Sequence, residues 1–259
     1  MAKRKHKTKR RQWLYFIIII VVMMAGYVSY QVHHIYLYYK ADFVRYDGFN
    51  IDVPMGYTIH GIDISHHQGT IMWPAVKKMQ VKDITLDFAY IKATEGISKV
   101  DDCYKRNWMK CSELYIPHGA YHFYLPNKSG AAQAINFIKT VKLQPGDLPP
   151  VVDIEKLYGT TPDVMRIELK LWLNMIETHY GVKPVIYTYV NFYETYLGKD
   201  FDNYPLWIAH YVQRRQPRIK RDWLFWQFNE HGTVNGIDNS TDFNVFNGDS
   251  ATFNQLLVK

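Results

Sequence analysis

Cysteine is almost missing from the 259-residue chain, with Cys103 and Cys111 the only two. On one helix their separation gives ~12 Å of rise, too far for a disulfide. They are not spaced as a metal site either. Internal repeats are also lacking, as is low-complexity sequence beyond a short basic tail, and one catalytic-size domain is the economical reading. Basic charge is scarce where a nucleic-acid surface would need it. Lys3, Arg4, Lys5, Lys7, Lys9, Arg10 and Arg11 account for the whole excess of 31 Lys plus Arg over 24 Asp plus Glu. The remaining chain is formally neutral. A nucleic-acid-binding membrane protein would rest on the tail alone, and no nucleic acid is expected as a partner.

Charged side chains are absent from the next stretch, up to Lys40. Residues 13–30 give about 18 uncharged positions, close to the ~20 that cross a hydrocarbon core as a helix. Seven cations on one flank place that end in the cytoplasm, and Tyr36, Tyr38 and Tyr39 suit the outer interface. A cleaved signal peptide is the rival, but the apolar run is long for one and no good small-x-small site follows it. The expected organisation is a basic cytoplasmic tail at 1–12, a transmembrane signal-anchor helix at 13–32, a tether at 33–56 and an exported catalytic domain at 57–259. The expected location is the cytoplasmic membrane, single-pass, with the catalytic domain on the extracytoplasmic side.

From residue 58 onward, short apolar runs alternate with amphipathic stretches. Strand-like segments lie at 59–65, 88–94, 118–124, 151–155, 183–189, 206–211, 224–229 and 242–246. Helices are expected at 73–80, 104–114, 129–141 and 163–180, the last ending at Gly181, a favoured C-terminal residue. A short helical piece starts at Phe192. Strand alternating with helix implies parallel pairing, and eight such strands suggest an α/β fold closed into a single β/α barrel. Helices thin out in the second half, so a flattened, TIM-like barrel with missing helices is expected.

The sharpest local pattern is Pro149-Pro150-Val151-Val152-Asp153-Ile154-Glu155. Side chains on a strand alternate, so Asp153 and Glu155 share one face while Val152 and Ile154 share the other. In a barrel the carboxylates would face inward at the C-terminal end of the strand, where barrel active sites sit. Two like charges at that spacing push one pKa upward, and a protonated carboxyl can then donate to a leaving sugar oxygen beside an ionised neighbour. Asp63 with Ser65, and Asp242 with Asn244, repeat the design on the first and last strands. Those strands are neighbours in a closed barrel, which brings Asp63 close to Asp242.

These stretches resemble glycoside hydrolase family 25, the N-acetylmuramidase-type lysozymes. Similar segments are Gly61-Ile62-Asp63-Ile64-Ser65-His66-His67-Gln68-Gly69, Ile91-Lys92-Ala93-Thr94-Glu95-Gly96 and Gly119-Ala120-Tyr121-His122-Phe123-Tyr124. The order continues through the Asp153/Glu155 strand, Val185-Ile186-Tyr187-Thr188, Leu206-Trp207-Ile208-Ala209-His210-Tyr211, Phe225-Trp226-Gln227 and Asp242-Phe243-Asn244-Val245-Phe246. The resemblance implies a barrel with a groove for peptidoglycan glycan strands and cleavage of the β-1,4 bond after N-acetylmuramic acid, with no metal and no cofactor expected. It implies Glu155 as general acid and Asp153 as the residue steering the substrate's acetamido group as internal nucleophile. Asp63 and Asp242 match two further acidic positions on the groove floor. One departure is Ile71-Met72-Trp73, where family members often carry Ile-Asp-Trp, and an effect on loop packing is expected.

Candidate substrate-binding residues are Tyr121, Tyr124, Tyr187, Gln227, Trp226, Glu95 and His210, mostly at strand ends where aromatic rings can stack on sugars. His122 and His210 read as wall residues of the barrel mouth. His66 and His67, taken as strand neighbours, would face opposite ways and not ligate jointly. The competing functions are a glycan-binding module without turnover and a hydrolase of another N-acetylated polymer such as chitin. Retention of all four acidic positions disfavours the first. The family-like first and last strands disfavour the second.

Overall fold

The computed structural model describes residues 2–40, 42–211, 213 and 215–259, with side chains described from 12 to 35 and from 42 onward. It divides into two compact units, Met1–Phe43 and Val44–Lys259. The first unit is dominated by one helix, α1 (Ala2–Lys40). Within it Gln12–Ile35, 24 residues, is long and apolar enough to cross a bilayer by length and composition.

The stretch expected as a tether is largely folded. The helix runs on to Lys40, and residues 43–54 form a hairpin of β1 (Phe43–Tyr46) and β2 (Ile51–Pro54). Phe49, Ile51 and Val53 are buried, and the Phe49 ring lies 5.1 Å from that of Phe243. Burial of three large apolar side chains outweighs the modest strand signal of so short a hairpin.

The second unit is built on β3 (His60–Ile64), α2 (Trp73–Lys78), β4 (Gln80–Val81), β5 (Ile84–Thr85), β6 (Phe88–Glu95), β7 (Lys99–Val100), α3 (Tyr104–Glu113), β8 (His118–Phe123) and α4 (Gly130–Thr140). It continues with β9 (Val151–Asp153), α5 (Pro162–Tyr180), β10 (Val185–Tyr189), α6 (Val190–Phe192), β11 (Leu206–Ala209), β12 (Phe225–Gly232), β13 (Thr241–Phe246) and α7 (Ser250–Leu256). Eight strands close a barrel in the order β3-β6-β8-β9-β10-β11-β12-β13, with β13 returning to β3. Pairing is parallel from β3 to β12, as the alternation implied. The last strand differs, since β13 runs antiparallel to both β12 and β3. Only residues 233–240 join β12 to β13, too few for the dozen or more that a parallel crossover needs.

Helix ends follow local chemistry. Thr161 caps α5 by accepting from the Val164 N–H, and Gly181 ends it in the left-handed conformation at φ 70°. Met72 stands at the N-cap of α2 and offers no side-chain acceptor, while its backbone N–H donates to Gly236 O. The missing carboxylate in that loop is thus a missing helix cap.

Phe88 and Tyr90 of β6 point inward and form the floor of the barrel, where they meet Trp207, Phe225, Phe246 and, from α7, Phe253. The opposite parity, Ala89, Ile91 and Ala93, is also buried, as expected for strands covered on both faces. Gly61 lies beneath the Phe88 ring, where a Cβ would come within 2.5 Å of it.

Candidate active site

The floor ends where the carboxylates begin. Asp63, Asp153, Glu155 and Asp242 line one cavity of about 190 Å³ at the barrel mouth, together with Tyr121, Tyr187, Trp207, Tyr211, Gln227 and Glu230. Asp63 and Asp242 sit directly opposite each other in the β3–β13 ladder. Asp242 reaches the mouth from the start of its strand, because β13 runs the other way. A second cavity of about 540 Å³ adjoins the first through Glu155, Tyr187 and Tyr211, and extends the groove toward Tyr189, Asn191, Glu194 and His210.

Asp63 is held by a closed set of donors. Its Oδ2 accepts from Gln227 Nε2 at 2.8 Å and from Asn244 Nδ2 at 2.7 Å. Asn244 Oδ1 in turn accepts from Trp207 Nε1 at 2.8 Å, and Gln227 Oε1 accepts from Tyr187 and Tyr211 hydroxyls. Burial pushes Asp63 upward, while donations from Asn244, Gln227 and Asp242 oppose the rise. Burial and the facing Asp63 charge push Asp242 up to about 9. The pair therefore holds one proton, on Asp242, which donates it toward Asp63.

Asp153 is 8% exposed, and its Oδ1 is buried without a hydrogen-bond partner among the described residues. Burial, then the charge of Glu155, holds its pKa well above the ordinary range. Glu155 follows the end of β9, is less buried than Asp153 and lines both cavities. Burial raises its pKa as well, with Lys156 opposing and Asp63 and Glu230 adding to the rise. A reachable carboxyl with a raised pKa beside a second carboxyl meets the main requirement for general acid protonation of a glycosidic oxygen.

The other candidates separate by strand parity. Tyr121 and Tyr187 line the cavity, as does Gln227, whose amide is spent on Asp63 and two tyrosines. His210 lines the adjoining cavity, with its Nδ1 accepting from the Arg218 N–H. Tyr124 and Trp226 do not line either cavity. Tyr124 is buried near His122, and Trp226 packs against Tyr57, Trp223 and Phe228. Glu95 lines neither and pairs with Lys92 at 2.7 Å.

His122 is not in the mouth. It stacks on Trp172, accepts from the Thr94 hydroxyl at Nδ1 and donates from Nε2 to Gln133, with burial lowering its pKa to about 4. His66 and His67 fall in a 3-10 turn capped by Ser65, not on a strand, and their rings lie 4.1 Å apart. No group of side chains fit to hold a metal occurs among the described residues. Sequence reasoning passed over Tyr211 and Glu230 as site residues. Tyr211 had a signal, as it follows His210 in a motif already singled out.

Comparison with known proteins meets this geometry. The family model for glycosyl hydrolases family 25 matches residues 62–237. The chain is 44% identical to YegX of Escherichia coli K12 over 77% of its length and 74% of that protein. It is 35% identical to lysozyme M1 of Streptomyces globisporus, over 74% of this chain and 69% of that one. A family 25 glycosyl hydrolase structure from Bacillus anthracis aligns with a TM-score of 0.71 at 31% identity, covering 77% of this chain and 93% of the other. Barrel and paired carboxyls thus define a glycoside hydrolase of lysozyme type. The chain belongs to glycosyl hydrolases family 25.

Proposed function

We propose that this chain is a membrane-anchored muramidase that hydrolyses the β-1,4 bond between N-acetylmuramic acid and N-acetylglucosamine in peptidoglycan. Glu155 protonates the leaving oxygen as the glycosidic C–O bond breaks, and Asp153 orients the substrate's acetamido group, whose oxygen attacks the anomeric carbon; water, giving its proton to Glu155, then opens the cyclic intermediate. The Asp63–Asp242 pair holds the groove floor, and Tyr121, Tyr187 and His210 line the path of the glycan. The observation that carries this reading is the meeting of four carboxyls in one cavity, three on strands and Glu155 just past the end of β9, with burial raising the Glu155 pKa.

Substrate assistance has a direct test. Peptidoglycan de-N-acetylated at the cleaved residue should resist the enzyme, and its ready cleavage would rule out the acetamido as nucleophile. In that case a larger loss in Asp63→Asn than in Asp153→Asn would point to a protein carboxylate instead.

The seven N-terminal cations and the 24-residue apolar span support an anchor with the tail in the cytoplasm and the barrel outside. A C-terminal alkaline phosphatase fusion should be active and a cytoplasmic reporter silent. The reverse pattern would overturn the topology.

A further inference from the structure

The mouth holds a fifth carboxylate that strand alternation alone would turn away. Gln227 faces inward on β12, so strict period two puts 229 and 231 inward and Glu230 outward. Pairing with β13 shows otherwise. Gln227 is opposite Asn244, but Asn229, not Phe228, is opposite Phe243. Two residues of β12 therefore oppose one of β13, a bulge that reverses the parity beyond it. Phe243 is an outward residue packed on Phe49, and a second register shift follows between Asn229 and Gly232, so Glu230 sits in an irregular stretch beside Asp242. Glu230 accordingly lines the catalytic cavity with Glu155 and Asp242. Its side chain is 49% exposed, and its Oε1 lies 3.5 Å from Nε2 of the exposed His231.

We infer that Glu230 is a positioning residue for the glycosidase reaction, a carboxylate carried into the catalytic cavity by the bulge that acts through Glu155. The inference rests on Glu155 being the general acid. Deprotonating Glu155 puts a further charge into a cavity with no cation among its lining residues, and a carboxylate sharing that cavity makes the step harder. The upward direction of the Glu155 pKa includes Glu230 among its causes, after burial and Asp63.

Other charges act on the same proton. Asp63 adds to the negative field, Asp242 holds a proton, and the exposed Lys156 and then Lys92 oppose it. Tyr158, Tyr187 and Tyr189 also face Glu155, and His210 and Glu194 share its second cavity. None of these comes from the bulge, so a change at Glu230 isolates one contribution.

The experiment is the pH profile of kcat/KM on purified peptidoglycan for the detergent-solubilised full chain, as wild type, Glu230→Gln, Glu230→Asp and Glu155→Gln. Glu230→Gln removes the charge at equal size, so Glu155 should lose its proton at lower pH. The alkaline limb should move down by about half a unit to one unit, a loss of about three- to tenfold at a fixed pH on that limb. Glu230→Asp should restore the limb toward wild type, a rescue that a packing role would not give. An unmoved alkaline limb in Glu230→Gln, with Glu155→Gln inactive, overturns the inference while leaving the acid assignment standing. Wild-type turnover by Glu155→Gln overturns the acid assignment and this inference with it.

Discussion

The two ends of the barrel interior, a few residues apart on the same strands, are built on opposite chemistry. At the floor Phe88, Tyr90, Trp207, Phe225, Phe246 and Phe253 pack ring to ring, with Phe88 and Phe225 centroids 5.1 Å apart and Phe246 and Phe253 5.2 Å apart. At the mouth the inward positions become Asp63 and Asp153, both buried, and the part-buried Asp242, each raised in pKa by its removal from water. One end gains free energy by leaving water, and the other loses it. The difference teaches that the stabilising floor must offset a mouth kept in a costly state for chemistry.

Removing the working proton should give the largest effect. Glu155→Gln keeps size and hydrogen bonding but has no proton to donate, and turnover should fall by at least ~10²–10⁴-fold while glycan binding persists. Asp153→Asn should also be severe. Rates on purified peptidoglycan and a pull-down on the insoluble glycan separate the two effects. At the floor the sensitive quantity is stability. Phe225→Ala empties a fully buried site and should cost about 3–5 kcal/mol in denaturant unfolding. Equal loss of turnover per folded molecule would show that the floor does more than support.

A change at the mouth should do the reverse. Folded Asp242 keeps its proton up to about 9, against an ordinary value of 3.8. The folded state therefore binds this proton more tightly, so its contribution to stability is full below the ordinary value and is lost as pH rises toward the folded one. Asp242→Asn removes that slope. Its unfolding temperature relative to wild type should climb across this window, reaching a gain on the order of several degrees at the alkaline end. A constant difference at all pH values would mean that the proton is not held there.

The smallest effect lies outside both regions. Met72→Asp supplies the absent acceptor at the start of α2 and should add about 1 kcal/mol in the same unfolding assay, with turnover unchanged.

Much of the mouth was legible because an acidic residue between apolar neighbours on a strand has one explanation in period two. Asp63, Asp153 and Asp242 were found that way, and the eight strands followed from the apolar runs around them. Tyr124 and Trp226 misled because an aromatic ring suits either face of a barrel wall. Parity held the correction: Trp226 adjoins Gln227 and Tyr124 lies three residues from Tyr121, so neither can share its partner's face on a regular strand. Glu230 was illegible for the opposite reason, since a bulge breaks parity without a signal in one sequence. The hairpin around Phe49 and the helix bearing Phe253 were missed because each is short and gains its stability from tertiary burial.

Mass spectrometry of the reducing ends released from purified peptidoglycan by the full chain tests the central claim, that the mouth is a muramidase site with Glu155 as acid. The account predicts new reducing N-acetylmuramic acid ends with the wild type and none with Glu155→Gln. New reducing N-acetylglucosamine ends, or equal release by the variant, would contradict it.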